Sequence, residues 1–299
     1  MKTKLITTLL LFCTILVAKA AEYQVFYLGG QSNMDGYGYN NVLPADLLKP
    51  QDVMIFHGNG VLDNKQGGSE GVWSKIQPGH GTGFKSDGNK NTYSDRFGLE
   101  LTFADTLSKK MPNKKIAIIK YSAGGTGLAL KTGYGNWSPD FAEGEGKNQY
   151  DYALKTIQNA FATNDIDGDG EPDTLIPAGI IWMQGEADAH TSTHSANAYL
   201  DNLTRLMSLL RASLRKDDIP VVIGKITNSN LEEGIMPYIK RVQTAQRLFT
   251  EQDICASYMT KTSNYDYTPK DAWHYASDSY ISMGKDFATA YLQLAKQCQ

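Results

Sequence analysis

Four short runs carry no polar residue at all: Val25-Phe26-Tyr27-Leu28, Ile116-Ala117-Ile118-Ile119, Ile180-Ile181-Trp182-Met183 and Pro220-Val221-Val222-Ile223. A strand with one face in water alternates apolar and polar residues. A strand covered on both faces does not, and such strands belong to parallel sheets sandwiched between helices. The segments between the runs supply those helices. Helical spacing of apolar residues predicts a helix from Ser94 or Asp95 to about Lys110, with Phe97, Leu101, Ala104 and Leu107 on one face and Met111-Pro112-Asn113 as its stop. Further helices are predicted over Tyr150–Ala162, Ala196–Arg215, about Ile235–Glu251, and Ser277–Lys296. The fold class is therefore α/β: a doubly wound, mainly parallel sheet with helices on both faces. The Gly-, Asn- and Asp-rich stretch between the first run and Tyr93 reads as loop and excursion, not as a second domain.

In such sheets the functional loops lie at the carboxyl ends of the strands. Three of the runs lead directly into unusual loops: Gly30-Gln31-Ser32-Asn33, Gly124-Gly125-Thr126 and Gln184-Gly185-Glu186-Ala187-Asp188. A serine just beyond a strand, after Gly29 and Gly30, can expose its hydroxyl and its own N–H together. Far downstream, Asp271-Ala272-Trp273-His274 can supply a base and its orienting carboxylate from one short loop. Serine, histidine and aspartate are the parts of a nucleophilic hydrolase, here in a chain order unlike His-Asp-Ser or Asp-His-Ser.

At these residues the chain resembles the SGNH (GDSL-like) hydrolase superfamily. Within it, the match is to the group of sialate O-acetylesterases and carbohydrate esterase family 6 acetylxylan esterases. Gly30-Gln31-Ser32-Asn33-Met34 is similar to the nucleophile block and Lys120 to Thr126 to the glycine block; Trp182 to Asp188 is similar to the QGE block and Asp271 to His274 to the DxxH block, with Tyr280 and Gly284 continuing the pattern. The resemblance runs in order over nearly the whole chain from residue 24 to about 290. It implies a flavodoxin-like, three-layer αβα fold and a serine esterase acting on acetylated oligo- or polysaccharides of the xylan or sialic-acid type. Ser32 would be the nucleophile, His274 the base and Asp271 the acid, with Glu186 as a supporting acid. The oxyanion would meet the Ser32 N–H, the Gly124 N–H (with Gly125 in competition) and the Gln184 amide. Gln184 departs from the asparagine usual in the superfamily. No cofactor is required for this chemistry. The alternatives are a lipase or thioesterase of the same superfamily, and a noncatalytic carbohydrate-binding protein on a hydrolase fold. Tyr37, Tyr39, Trp73 and Trp137 are loop aromatics that could stack on sugars.

The remaining features bound the setting. Lys2 and Lys4, the apolar stretch Leu5 to Val17 and Ala18-Lys19-Ala20 read as an export signal over residues 1–20, leaving a single esterase domain over 21–299 that is periplasmic or extracellular. No later segment is apolar enough to span a membrane. A formal net charge of −3 gives no electrostatic case for nucleic acid. Cys255 and Cys298 would tie the C-terminal tail to a strand if they pair, which sequence leaves open. Asp165, Asp167, Asp169 and Asp173 occupy positions 1, 3, 5 and 9 of an EF-hand-like loop, but position 12 is Ile176 and not glutamate. Structural calcium and a plain acidic loop are both open there. His57 and His80 carry no motif and read as surface residues. His190 and His194 have zinc-ligand spacing without the glutamate of HExxH.

Overall fold

A computed structural model describes residues 20–63, 65–141 and 146–298; the export-signal segment lies outside them save for Ala20. The central sheet is built from β1 (Glu22–Gly30), β2 (Met54–His57), β3 (Ser74–Lys75), β4 (Lys115–Ser122), β5 (Thr174–Met183), β6 (Val221–Gly224) and β7 (Ala256–Met259). Their order across the sheet is β7-β6-β5-β1-β4-β2-β3. Every neighbouring pair is parallel except β2 with the two-residue edge strand β3. The four apolar runs are the buried centres of β1, β4, β5 and β6. Because β1 sits between β4 and β5, the chain reverses its direction of winding there. The carboxyl ends of those three strands open the crevice in which doubly wound folds bind ligands.

Helices cover both faces. They are α1 (Ser32–Asp35), α2 (Glu100–Lys110), α3 (Gln149–Phe161), α4 (Glu186–Thr191), α5 (Thr193–Ser213), α6 (Ile239–Gln252) and α7 (Ser277–Leu294). Phe26 of β1 packs edge-on against Phe103 of α2 and Tyr291 of α7. Gly29, an odd number of residues on, faces the other way. Its register partner Tyr121 meets Trp137 and Tyr152 of α3. The three-layer arrangement expected from the apolar runs is thus present. Among the described residues no helix is long and apolar enough to cross a membrane.

Three expectations are corrected. The helix placed from Ser94 or Asp95 begins only at Glu100, because Arg96–Phe97 pairs as a strand with Gly38–Tyr39. The excursion before Tyr93 is not all loop: Met54–His57 joins the main sheet beside β4, too short a run to announce itself. His57 and His80 are buried, not surface residues. His57 ends β2 and stacks on Phe84, and His80 faces the same ring. Burial holds both imidazoles below the ordinary histidine value, with the Lys120 charge adding to the effect.

Cys255 and Cys298 are joined by a disulfide with Cα atoms 5.3 Å apart, which fastens the tail to the start of β7. The bond closes a loop of 43 residues in sequence separation, for which chain-entropy reasoning gives about 4 kcal/mol. Cys298→Ser should therefore lower the melting temperature by roughly 5–10 °C relative to the oxidised protein. Reductant should reproduce the shift in wild type and leave the variant unmoved, which thermal melts with and without dithiothreitol would check.

Candidate active site

β1 ends on Gly30, whose φ is +151° and where an added Cβ would fall 2.0 Å from the Met183 carbonyl oxygen. Only glycine fits this approach of β1 to the end of β5. The chain turns there, the Gln31 N–H donating to the Met183 oxygen at 3.0 Å, and enters α1 at Ser32. As the first residue of a helix, Ser32 has an N–H without an intrahelical acceptor. Gly124 lies against it, since a Cβ built on Gly124 would stand 3.4 Å from the Ser32 Cβ. Gly125 instead lies under the Tyr134 ring, so Gly124 is the glycine that faces the serine.

The histidine loop is held by its own backbone: Thr268 N–H donates to the His274 carbonyl and Asp271 N–H to the Thr268 carbonyl. Asp271 Oδ1 accepts from the N–H groups of Trp273 (2.9 Å) and His274 (3.1 Å), and Oδ2 lies 2.8 Å from His274 Nδ1. Desolvation pushes Asp271 up, but these hydrogen bonds and the imidazole outweigh it and leave the carboxyl below its ordinary value. Burial lowers His274, against the opposing pull of Asp271, so the ring is neutral at neutral pH. Tyr37 stacks flat on that ring, centroids 3.6 Å apart and planes 4° from parallel.

Ser32, Asp35, Tyr37, Gly124, Trp273 and His274 line one cavity of about 1200 Å³. Among the described residues Ser32 Oγ makes no hydrogen bond to the His274 ring; such bonds often tighten only when substrate is bound. His190, whose ring meets Trp273 edge-on, also borders the cavity, and His194 does not. Neither belongs to a group of metal-ligating residues among those described.

Gln184 is not brought to the cavity. It is fully buried, and its amide donates to the Thr126 carbonyl (3.0 Å) and Asp188 Oδ2 (2.7 Å) while its oxygen accepts from Tyr199. With both amide hydrogens committed, it has none for an oxyanion. Asp188 also accepts from the N–H groups of Leu128 and Ala129, which braces the loop after Gly124. Burial pushes Asp188 up to about 6.

Glu186 does not touch His274. Its Oε1 accepts from Asn33 Nδ2 at 2.7 Å, and its Oε2 is buried without a partner. Burial raises its pKa, partly offset by Asn33. Asn33 also donates to the Trp273 carbonyl (3.1 Å) and accepts from the Tyr280 hydroxyl (2.7 Å). It therefore locks the serine turn to the residue before His274. Gln31 makes a parallel link, its side-chain oxygen accepting from the N–H groups of Gly185 and Ala187. Asn33 was marked only as part of the nucleophile block and Tyr37 only as a loop aromatic, and Asp35 had no signal beyond its nearness to Ser32. Two of the loop aromatics proved to be core: Trp73 and Trp137 are buried, their Nε1 groups on the Ala160 carbonyl and the Thr126 hydroxyl. Tyr39 is exposed beneath the Arg96 guanidinium.

In the acidic loop, carboxylate oxygens of Asp165, Asp167 and Asp173 lie within 4.8 Å of one another. Asp169 falls outside the trio and accepts from the Glu171 N–H. Asp173 Oδ1 is buried and unpartnered, whereas Asp167 already pairs with Lys115 and the Tyr23 hydroxyl. Three of the four expected ligands thus fit a calcium ion, with one of them partly neutralised.

Comparison with known proteins bears on the family and the fold. Residues 22–293 match the family model described as carbohydrate esterase, sialic acid-specific acetylesterase. A probable carbohydrate esterase of Arabidopsis thaliana, At4g34215, is 22% identical over 283 residues, covering 90% of each chain. The X-ray structure of that protein superposes with a TM-score of 0.62 at 20% identity, over 90% of this chain and 98% of that one. NanS gives a TM-score of 0.60 at 17% identity, over 93% and 98%. XAC1771, a carbohydrate acetylesterase from Xanthomonas citri, gives 0.59 at 15% identity, over 91% of this chain and 56% of that one. At these identities the solved structures establish the fold, a mainly parallel sheet between layers of helices. The family match spans nearly all of the described chain, and the chain belongs to the carbohydrate esterase family of sialic acid-specific acetylesterases.

Proposed function

We propose that the enzyme removes O-acetyl groups from carbohydrates through a Ser32-His274-Asp271 triad. The observation that carries this reading is the Asp271–His274 pair, correctly bonded through Nδ1, in the same cavity as a serine at a helix start with Gly124 against it. Asp271 holds the proton on Nδ1 and leaves Nε2 to take the Ser32 proton as Oγ attacks the ester carbonyl. The imidazolium then protonates the leaving sugar oxygen as its bond to the carbonyl carbon breaks, and water, deprotonated by the same ring, attacks the acetyl group left on Ser32 and releases acetate. The Ser32 and Gly124 N–H groups would receive the oxyanion, each worth about 3–4 kcal/mol in such sites. Gln184 is left out of this role.

The cavity offers polar groups for sugar hydroxyls: Gln66, Glu70 and Lys85 line it together with Asp35 and Ser122, beside the apolar faces of Val61, Phe84 and Trp273. Export to the periplasm or beyond is part of the same proposal; a disulfide between Cys255 and Cys298 is at home in an oxidising compartment.

Acetate release from acetylated xylan and acetylated sialosides, alongside p-nitrophenyl acetate and octanoate, tests the activity. Faster hydrolysis of the octanoate than of every acetyl ester would move the enzyme to the lipases. Ser32→Ala should abolish turnover, by roughly 10⁵-fold or more, and His274→Ala should do the same without adding to it. Asp271→Asn should cost roughly 10³–10⁴-fold in kcat with KM nearly unchanged, and Glu186→Gln on the order of tenfold. The opposite ranking of the two acid variants, in proteins with matched melting curves, would shift the acid role to Glu186.

The acid limb of kcat/KM should report neutral His274, because only the unprotonated ring can take the serine proton. Burial holds that ring below 6.5, so activity should persist below pH 6.5 and fall as pH drops through the lowered value. Tyr37 covers one face of the ring. Tyr37→Ala should therefore relieve desolvation and move the limb up toward 6.5, while Tyr37→Phe keeps the stack and leaves it in place. A wild-type limb at or above 6.5, or identical limbs in all three proteins, would remove Tyr37 from this role.

We also propose that the Asp165–Asp173 loop holds structural calcium through Asp165, Asp167 and Asp173, with no part in the chemistry. Calcium added to chelator-treated protein should raise the melting temperature as its concentration passes the dissociation constant. A flat response, with no metal by elemental analysis, would make the loop a salt-bridged turn.

A further inference from the structure

One carboxylate in the cavity takes no part in the ester chemistry. Asp35 lies three residues after Ser32 on the same short helix and lines the same cavity. Its Oδ1 accepts from Ser122 Oγ at 3.2 Å, and among the described residues its Oδ2 makes no hydrogen bond. Ser122 precedes Ala123 and Gly124, so this carboxylate stands between the nucleophile turn and the glycine block.

Lys120 and Lys147 favour its charged form and Glu100 opposes it, but among the described residues no ammonium or guanidinium forms an ion pair with its carboxylate. Lys120, directly beneath, has its three protons on the Asp35 carbonyl, the His80 carbonyl and Glu100 Oε2, with none left for a ligand. Arg96 is drawn away to the Tyr37 carbonyl and the face of Tyr39. Among the described residues no arginine lines the cavity. Its lysines are Lys85 and Lys147, set against Asp35, Glu70 and Asp87, which leaves one carboxylate in excess over the lysines. A pocket for an acidic sugar needs the reverse balance, with guanidinium or ammonium groups placed for its carboxylate.

We propose that the sugar this cavity takes is uncharged, and that Asp35 is the residue that sets the preference. Its open oxygen accepts hydrogen bonds from sugar hydroxyls near the ester, and its charge opposes the carboxylate of a sialic acid. The inference rests on the esterase reading of the same cavity and narrows its substrate.

The test is kcat/KM for an acetylated xylo-oligosaccharide, an O-acetylated sialic acid and p-nitrophenyl acetate, at about pH 8 where carboxylates are ionised. Wild type should prefer the neutral sugar to the acidic one by roughly tenfold or more. Asp35→Asn should narrow that ratio at least about threefold, chiefly through a lower KM for the acidic sugar. A wild-type preference for the acidic sugar would overturn the proposal, and its loss in Lys147→Met would assign the sugar carboxylate to Lys147. An unchanged ratio in folded Asp35→Asn would equally overturn the role of Asp35. Should that variant fail to fold, the wild-type ratio alone decides the charge of the substrate. Failure of wild type on all three esters, p-nitrophenyl acetate included, would sink the esterase reading itself and the proposal with it.

Discussion

The active-site framework hangs on one buried cation. Lys120 is fully buried on β4, where an unpaired ammonium would be untenable. It is held by an acceptor for each of its three protons: the last carbonyl of α1, the His80 carbonyl in the excursion, and the Glu100 carboxylate at the start of α2. Glu100 in turn accepts from the Gly98 N–H through its other oxygen. A single side chain thereby fixes the serine helix, the loop wall and a flanking helix to one strand. Because all the groups are buried, removing any one leaves another unsatisfied, and the unit stands or falls together.

Above that anchor, the proposed nucleophile, oxyanion donor and base with its acid come from three distant stretches of chain, and polar links set their spacing. Asn33 is the hub, touching Glu186, the Trp273 carbonyl and Tyr280 at once. Gln31 reaches the start of α4, and Asp188 reaches the loop beyond Gly124. The blocks that stand out in the sequence are therefore not all reagents. One of the four, Trp182 to Asp188, is a brace, and within the nucleophile block Gln31 and Asn33 brace as well.

The sheet was legible because strands buried on both faces leave uninterrupted apolar runs, and the serine and histidine loops because they follow such a run or carry a compact Asp-x-x-His. The failures share a different cause. Met54–His57 is only four residues long, and β7 mixes serine and tyrosine with apolar residues at the sheet edge. Neither presents a pattern of its own. His57 and Trp137 took their places from tertiary packing that no local signal encodes. Gln184 shows the limit most directly: the family resemblance implied a donor to the oxyanion, but the folded chain commits its amide to the Thr126 carbonyl and Asp188.

Carboxylates make the same point about environment. Asp35, Glu186, Asp188 and Asp271 all stand near the serine and histidine, yet burial raises the first three, Asp35 and Asp188 to about 6. Asp271 alone is stabilised as an anion, because two backbone N–H groups and the imidazole outweigh its desolvation. An acid that orients and supports an imidazolium must stay charged through the pH range of catalysis, and a brace needs only to accept hydrogen bonds. Position in the fold thus divides one residue type into two tasks. The half-exposed loop carrying Asp271 and His274 suits the charged task, whereas burial raises the Glu186 carboxyl and disfavours its anion.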